Sequence, residues 1–95
     1  MTLPDRIRVL ADTIDTVLGE AADDVVTISS LDGTVLPPSV QLDNTDRVCA
    51  ALIGMGATWG GWRTRYDGAE QRALRLVTDA AEFWCAEVRA TGEVA

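Results

Sequence analysis

The first eighteen residues of the chain carry its clearest periodic pattern, which determines the first structural element. Apolar residues recur there every three or four positions, at Leu3, Ile7, Leu10, Ala11, Ile14, Val17 and Leu18. This spacing places them on one stripe of an α-helix, while the polar residues between them face water. Thr2 can cap the helix, Pro4 suits its first turn and Gly19 can end it. We predict an amphipathic helix over 3–18.

A β-hairpin is predicted after this helix. The segments 25–31 and 34–36 are rich in β-branched residues and flank Asp32-Gly33. Asp-Gly suits a two-residue hairpin turn, because both central positions of a type I′ turn need a positive φ. Pro37-Pro38 ends the second strand, since proline cannot donate to a sheet ladder, and 39–42 can add a short extended piece.

The next segment predicts a second helix but leaves a strand open as an alternative. Asp43 or Asn44 can cap the free backbone amides of its first turn. Its apolar stripe would consist of Val48, Ala51, Leu52 and Met55. Every residue over 48–57 is apolar or glycine, however, so a buried strand fits the same pattern. The capping residues and the alanines favour the helix.

The last third of the chain predicts an aromatic turn, a strand and a long helix. Trp59-Gly-Gly-Trp62 has the composition of a turn, and 62–66 alternates bulky and polar residues, which places Arg63 and Arg65 on one face of a strand. Asp67 and Glu70 resemble a capping box, and Gly92 can end the helix that follows. Its apolar face would consist of Ala73, Leu74, Val77, Ala80, Ala81, Trp84, Cys85 and Val88.

Together these elements predict one domain over residues 1–95. Ninety-five residues suffice for one modest core, and nearly half of them are apolar. The expected order of elements is α-β-β-α-β-α. The fold class is therefore α+β, a two-layer small domain with helices packed on a small, mainly antiparallel sheet.

The composition argues against catalysis and against general nucleic-acid binding. Fifteen carboxylates face eight arginines, with no lysine and no histidine, and nine of the acids precede residue 47. Net negative charge disfavours binding to a phosphate backbone. Without histidine or lysine, the chain lacks the usual general base and Schiff-base groups. We expect no enzyme activity, no catalytic residues, no cofactor and no metal site, with an atypical carboxylate or thiol enzyme as the alternative.

The cysteines and the N-terminus predict a cytoplasmic protein. Cys49 and Cys85 lie far apart in apolar surroundings, which is typical of reduced, buried thiols. A disulfide between them would require Cα atoms within about 7 Å. We expect no signal peptide, because no apolar stretch follows a basic start, and no membrane span, because the longest apolar run is 48–53.

The predicted function is protein–protein interaction, with self-association into a homodimer as the first contact to test. Leu76 and Phe83 widen the apolar face of the predicted last helix to about 200 degrees, more than the roughly 100 degrees that packing on one sheet needs. Tryptophan and arginine also dominate protein-binding hot spots. The candidate interface therefore consists of Trp59, Trp62, Arg63, Arg65, Leu76 and Phe83.

Three other interpretations of these residues stay open. Aromatic residues interleaved with arginines over Trp59–Tyr66 can bind single-stranded nucleic acid. The acidic first half can make the domain an inhibitor that imitates nucleic acid. Alternatively, Trp62 and Tyr66 simply fill the core, while Arg63 and Arg65 pair with the surplus of acid.

Overall fold

A computed structural model describes residues 2–29 and 37–90 of the chain. Two helices, one 3₁₀ helix and six strands follow each other in this part. Their bounds are α1 Leu3–Leu18, the 3₁₀ helix Gly19–Asp24, β1 Val25–Ser29, β2 Ser39–Leu42, α2 Asp46–Gly54, β3 Thr58–Trp59, β4 Arg63–Thr64, β5 Glu70–Val77 and β6 Glu82–Arg89.

The six strands form one mixed sheet in the order β1-β2-β6-β5-β3, with β4 also paired to β5. Strands β2 and β6 run parallel, and the other four pairings are antiparallel. The hairpin of β5 and β6 is the longest element of the sheet and pairs over eight residues on each strand. The predicted α+β class and the mainly antiparallel sheet are confirmed, whereas the predicted order of elements is wrong in its last part.

The two helices begin where the polar residues in front of them cap the chain. The Thr2 side chain accepts a hydrogen bond from the Asp5 amide, and the Thr45 side chain accepts one from the Val48 amide. Helix α2 therefore starts from Thr45, one or two residues later than we predicted. Helices over 3–18 and in the 48–57 region are confirmed, and the buried-strand alternative for the second is wrong.

The first predicted strand is confirmed over Val25–Ser29. The Asp32-Gly33 turn and the predicted strand 34–36 lie outside the described residues. The partner of β1 in the described part is β2, where Ile28 lies opposite Val40 and Val25 opposite Leu42. The short extended piece that we expected over 39–42 is thus a strand between β1 and β6.

The predicted C-terminal helix is wrong, because β5 and β6 form a β-hairpin there. The chain reverses after Thr78, whose amide and hydroxyl both donate to the Ala81 carbonyl, at 2.8 and 2.9 Å. Leu74 and Leu76 then lie opposite Cys85 and Phe83 on one face of the hairpin. Alternating apolar residues on two paired strands bury a continuous surface, which the helical interpretation of the same residues missed.

The hydrophobic core lies between the helices and one face of the sheet. We call this side the covered face; on β5 it carries Glu70, Arg72, Leu74 and Leu76. The opposite side, which carries Gln71, Ala73, Arg75 and Val77 on β5, is the open face. The buried core cluster consists of Leu10, Val17, Leu18, Ala21, Val40, Leu42, Val48, Leu52, Ala57, Leu74, Ala81, Phe83 and Cys85.

Candidate functional site

Strands β3 and β4 are two parts of one strand that a β-bulge interrupts. Trp59 lies opposite Leu74, and Arg63 lies opposite Gln71. Three residues of this strand, 60–62, thus face only two residues of β5, which leaves one extra residue. The Gly60 amide donates to the Ala73 carbonyl at 2.9 Å, so pairing with β5 continues from Trp59 to Gly60.

The bulge brings both Trp59 and Trp62 to the covered face. In a regular strand, residues three positions apart point to opposite faces, but one extra residue restores the same side. The Arg72 guanidinium consequently lies 4.4 Å from the Trp59 ring centre and 4.8 Å from that of Trp62. Arg89 lies 3.9 Å from the Trp62 ring centre. These four side chains form the tryptophan–arginine stack, held by cation–π contacts.

Ion pairs across β5 and β6 hold the arginines of this stack. Arg72 donates to Glu87 at 2.6 and 2.9 Å, and the two residues are directly opposite in the sheet. Arg89 lies 3.4 Å from the Glu70 carboxylate, also its direct cross-strand partner. Trp59 and Trp62 are therefore half-buried parts of the fold, packed on charged residues at the end of the covered face.

The open face carries a groove beside the bulge, and this groove is lined by arginines. Its volume is about 390 Å³, and its lining includes Arg63, Arg65 and Arg75 together with Gln71, Gly60 and Gly61. Arg72 also borders the groove, but its guanidinium lies on the covered face. None of the described residues that line it is an aspartate or a glutamate. In a chain of net charge −7, this groove thus brings three arginine side chains together.

The arginines of the groove differ in how they are paired. Arg75 lies 2.7 Å from the Glu82 carboxylate, and Arg65 lies 3.4 Å from that of Asp67. Within the described ranges, no carboxylate lies within ion-pairing distance of Arg63. Its exposed side chain shares the open face with Gln71, its direct partner on β5. Among the described residues, the charge of Arg63 is therefore not compensated by a carboxylate.

Apolar and aromatic side chains continue the open face away from the groove. Trp84 lies opposite Arg75, and its indole N–H donates to the Ser39 hydroxyl at 3.0 Å. Val77 and Val88 share this face and are 66% and 49% exposed. The open face of the β5–β6 hairpin thus combines an arginine-lined groove with exposed valines around a half-buried tryptophan.

The structure separates the residues that we predicted as one interface. Arg63 and Arg65 line the groove on the open face, whereas the two tryptophans contact Arg72 on the covered face. Phe83 is fully buried, and Leu76 packs against the core. The predicted last helix with its widened apolar face does not exist, because Leu76 and Phe83 belong to the β5–β6 hairpin. Phe83 is therefore wrong as an interface residue.

Other residues of the groove could not be identified from the sequence. Gln71 and Arg75 lie in the segment that we assigned to a helix, where they fall among its polar positions. Only the period-two pattern of a strand would have placed them beside Arg63. Tyr66, which one interpretation placed in the core, is 98% exposed.

An ion pair between the 3₁₀ helix and α2 holds Asp24, one of the acidic residues in the first half of the chain. Arg47 donates to both carboxylate oxygens of Asp24 at 2.6 and 2.8 Å, and the Thr45 hydroxyl donates to it at 2.8 Å. Hydrogen bonds from Arg47 and then Thr45 lower the pKa of Asp24 to about 2. This aspartate is part of the structural framework and not of the groove.

The two cysteines are free thiols on the helix side of the sheet. Burial raises the pKa of the Cys85 thiol to about 11, and the neighbouring Cys49 thiol adds to that shift. Cys49 is half-buried, and its sulfur lies 3.1 Å from the Asn44 side-chain oxygen. A thiol that stays protonated at neutral pH is a poor nucleophile.

Among the described residues, Cys, Asp and Glu side chains do not come together in groups of three or more that could hold a metal ion. Neither described helix combines the length and the apolar character that crossing a membrane requires.

Comparison with known proteins identifies no relative of this chain. No protein-family model, no curated protein and no solved structure matches it.

Proposed function

We propose that this chain is a non-enzymatic protein-interaction domain that binds its partner on the open face of the sheet. One observation carries the proposal: the groove beside the bulge receives the side chains of Arg63, Arg65 and Arg75, with no carboxylate among its described lining residues, in a chain of net charge −7. Arginine suits such recognition, because its planar guanidinium group binds anionic groups with defined geometry.

The surroundings of the groove also favour a protein partner. Tryptophan and arginine are enriched at protein-binding hot spots, and Trp84 lies directly opposite Arg75 on the open face. Val77 and Val88 add exposed apolar surface on the same strands. The backbone of these strands is already ordered by sheet pairing, so a partner need not order it on binding.

The nucleic-acid alternatives are less well supported by the geometry. Binding of single strands through Trp59–Tyr66 would use the indole rings as stacking platforms. Arg72 and Arg89 already lie over those rings at 3.9 to 4.8 Å. The inhibitor that imitates nucleic acid would use the acidic first half, where Asp24 is bound by Arg47. Protein binding uses surface that the fold leaves accessible.

Photo-crosslinking in the native host tests this proposal. Benzoylphenylalanine replaces Val77 on the open face in one variant and the exposed Ala50 of α2 in the control. We expect a discrete protein adduct from position 77 and none from position 50. An adduct with the mass of two chains would identify self-association, which stays a prediction. Equal labelling from both positions, or no adduct from position 77, would contradict the proposal.

A further inference from the structure

We propose that the groove recognises carboxylate groups, so that the partner presents a short acidic segment to Arg63, Arg65 and Arg75. This inference rests on the proposed function and specifies the chemistry of the partner. Arg63 and Arg75 share the open face with Gln71, and Arg65 lines the same groove. Guanidinium groups bind carboxylates through paired N–H···O bonds, which lysine cannot reproduce.

The pairing of the three arginines leaves the groove with a positive charge for a ligand to neutralise. Asp67 and Glu82 partly compensate Arg65 and Arg75, and neither acid lines the groove. Arg63 has no carboxylate within reach in the described part of the chain. A partner carboxylate in the groove would complete the charge pairing of Arg63 and would reduce repulsion among the arginines.

The size of the groove and the charge of the whole chain favour a short segment over a long polyanion. A volume of about 390 Å³ lies in the range of roughly 300–1,000 Å³ that is typical of small ligand sites. A long nucleic acid would extend beyond the groove and meet a chain with fifteen carboxylates. A few neighbouring glutamates or aspartates would place their carboxylates in the groove and leave most of the acidic surface uncontacted. Charge complementarity therefore favours an acidic peptide segment as the occupant.

Fluorescence anisotropy of the full chain with labelled peptides tests this inference. The probe is an octaglutamate peptide, and the control is octaglutamine of the same length. We expect octaglutamate to bind, with affinity that falls as salt is raised from about 50 to 200 mM, because exposed charges are screened. Octaglutamine should not bind. Oligothymidylate with the same number of charges should bind more weakly than octaglutamate.

Substitutions in the groove separate specific recognition from general charge. Arg63→Ala should weaken octaglutamate binding about tenfold, as expected for a charge-assisted hydrogen bond. Arg63→Lys should recover only part of the affinity, since it keeps the charge and loses the fork. Arg8→Ala is the matched control: it removes the same charge from an exposed position on α1 and should leave binding unchanged.

Each alternative result overturns the inference. Absence of octaglutamate binding, equal binding of octaglutamine, or equal effects of Arg63→Ala and Arg8→Ala would exclude a carboxylate site in the groove. Tighter binding of oligothymidylate would assign the groove to phosphate. A crosslink from position 77 combined with no peptide binding would overturn this inference alone. Absence of the crosslink would count against the proposed function itself.

Discussion

The guanidinium of Arg72 lies 4.4 Å from the centre of the Trp59 ring, while its N–H groups bind Glu87 at 2.6 and 2.9 Å. This contact ties the bulged strand to the β5–β6 hairpin on the covered face. On the other face of the sheet, the same strand contributes Arg63 to the groove. The tryptophan–arginine stack therefore helps to fix the position of the candidate binding site.

Replacing a tryptophan of the stack should lower the free energy of unfolding. Trp62→Leu removes the ring that Arg72 and Arg89 contact, and we expect a loss of about 1–3 kcal/mol from cation–π and packing contributions. Tyr66→Leu is the control, because this exposed tyrosine should change stability by no more than about 0.5 kcal/mol. Urea denaturation followed by circular dichroism measures both. Equal effects of the two substitutions would contradict a structural role for the stack.

Phe83→Ala should destabilise the domain by about 3–5 kcal/mol, because a fully buried aromatic side chain leaves a cavity when it is truncated. Val77→Ala, on the open face of the neighbouring strand, should cost far less. Thermal unfolding of the two variants distinguishes a core residue from an interface residue. A Phe83→Ala variant of unchanged stability and altered oligomeric mass would restore the interface interpretation.

The Asp24 ion pair should make stability depend on pH in the acid range. Since folding lowers the pKa of Asp24 from its ordinary 3.8 to about 2, the folded state favours the ionised form. Its contribution is present above about pH 4 to 5 and disappears as the pH falls towards 2. Asp24→Asn should therefore lower the melting temperature at pH 6 and have little effect near pH 2.

Asp23→Asn is the control for that experiment, because it removes a neighbouring exposed carboxylate. This substitution should leave the melting temperature nearly unchanged both at pH 6 and near pH 2. Circular dichroism melts of the three proteins over pH 2 to 6 measure the difference. A constant gap between wild type and Asp24→Asn across this range would contradict the role given to the Arg47 pair.

Cys85 should resist alkylation in the folded protein. Burial and a pKa of about 11 leave little thiolate at pH 8, whereas the half-buried Cys49 should react first. Iodoacetamide labelling followed by mass spectrometry of the peptides measures both rates. In 6 M guanidinium chloride the two rates should converge. Faster labelling of Cys85 than of Cys49 in the native protein would show that β6 is not buried as described.

The elements that the sequence predicted are those that local patterns determine. Helix α1 has one unambiguous period and a capping threonine, and α2 has a capping residue followed by alanines. The β5–β6 hairpin was missed because its apolar residues are so frequent that they satisfy both a helical and a strand period. Thr78-Asp79, a pair that favours turns, interrupts the segment and was the available signal.

The candidate site could be predicted only in part, because its geometry depends on how the strands pair. Placing Arg63 and Arg65 on one face needed only the alternation of a strand. Their approach to Gln71 and Arg75 depends on pairing with β5 across the turn that follows β4, and the helix predicted for this segment excluded that pairing. The shared face of Trp59 and Trp62 depends on one extra residue in the bulge. Asp67-Gly68 was the available local signal for the pairing with β5, since Asp-Gly favours a hairpin turn and Gly68 has a positive φ. The sequence carries no local signal for the bulge.

The most direct test of the proposed binding surface is a nuclear magnetic resonance titration of the ¹⁵N-labelled chain with octaglutamate, read at the arginine Nε–Hε groups. The account predicts that the signals of Arg63, Arg65 and Arg75 shift together with the Gln71 side-chain amide. The signals of Arg8 and Arg47, outside the groove, should not move. Shifts spread evenly over all eight arginines, or confined to Arg8 and Arg47, would contradict binding at the groove.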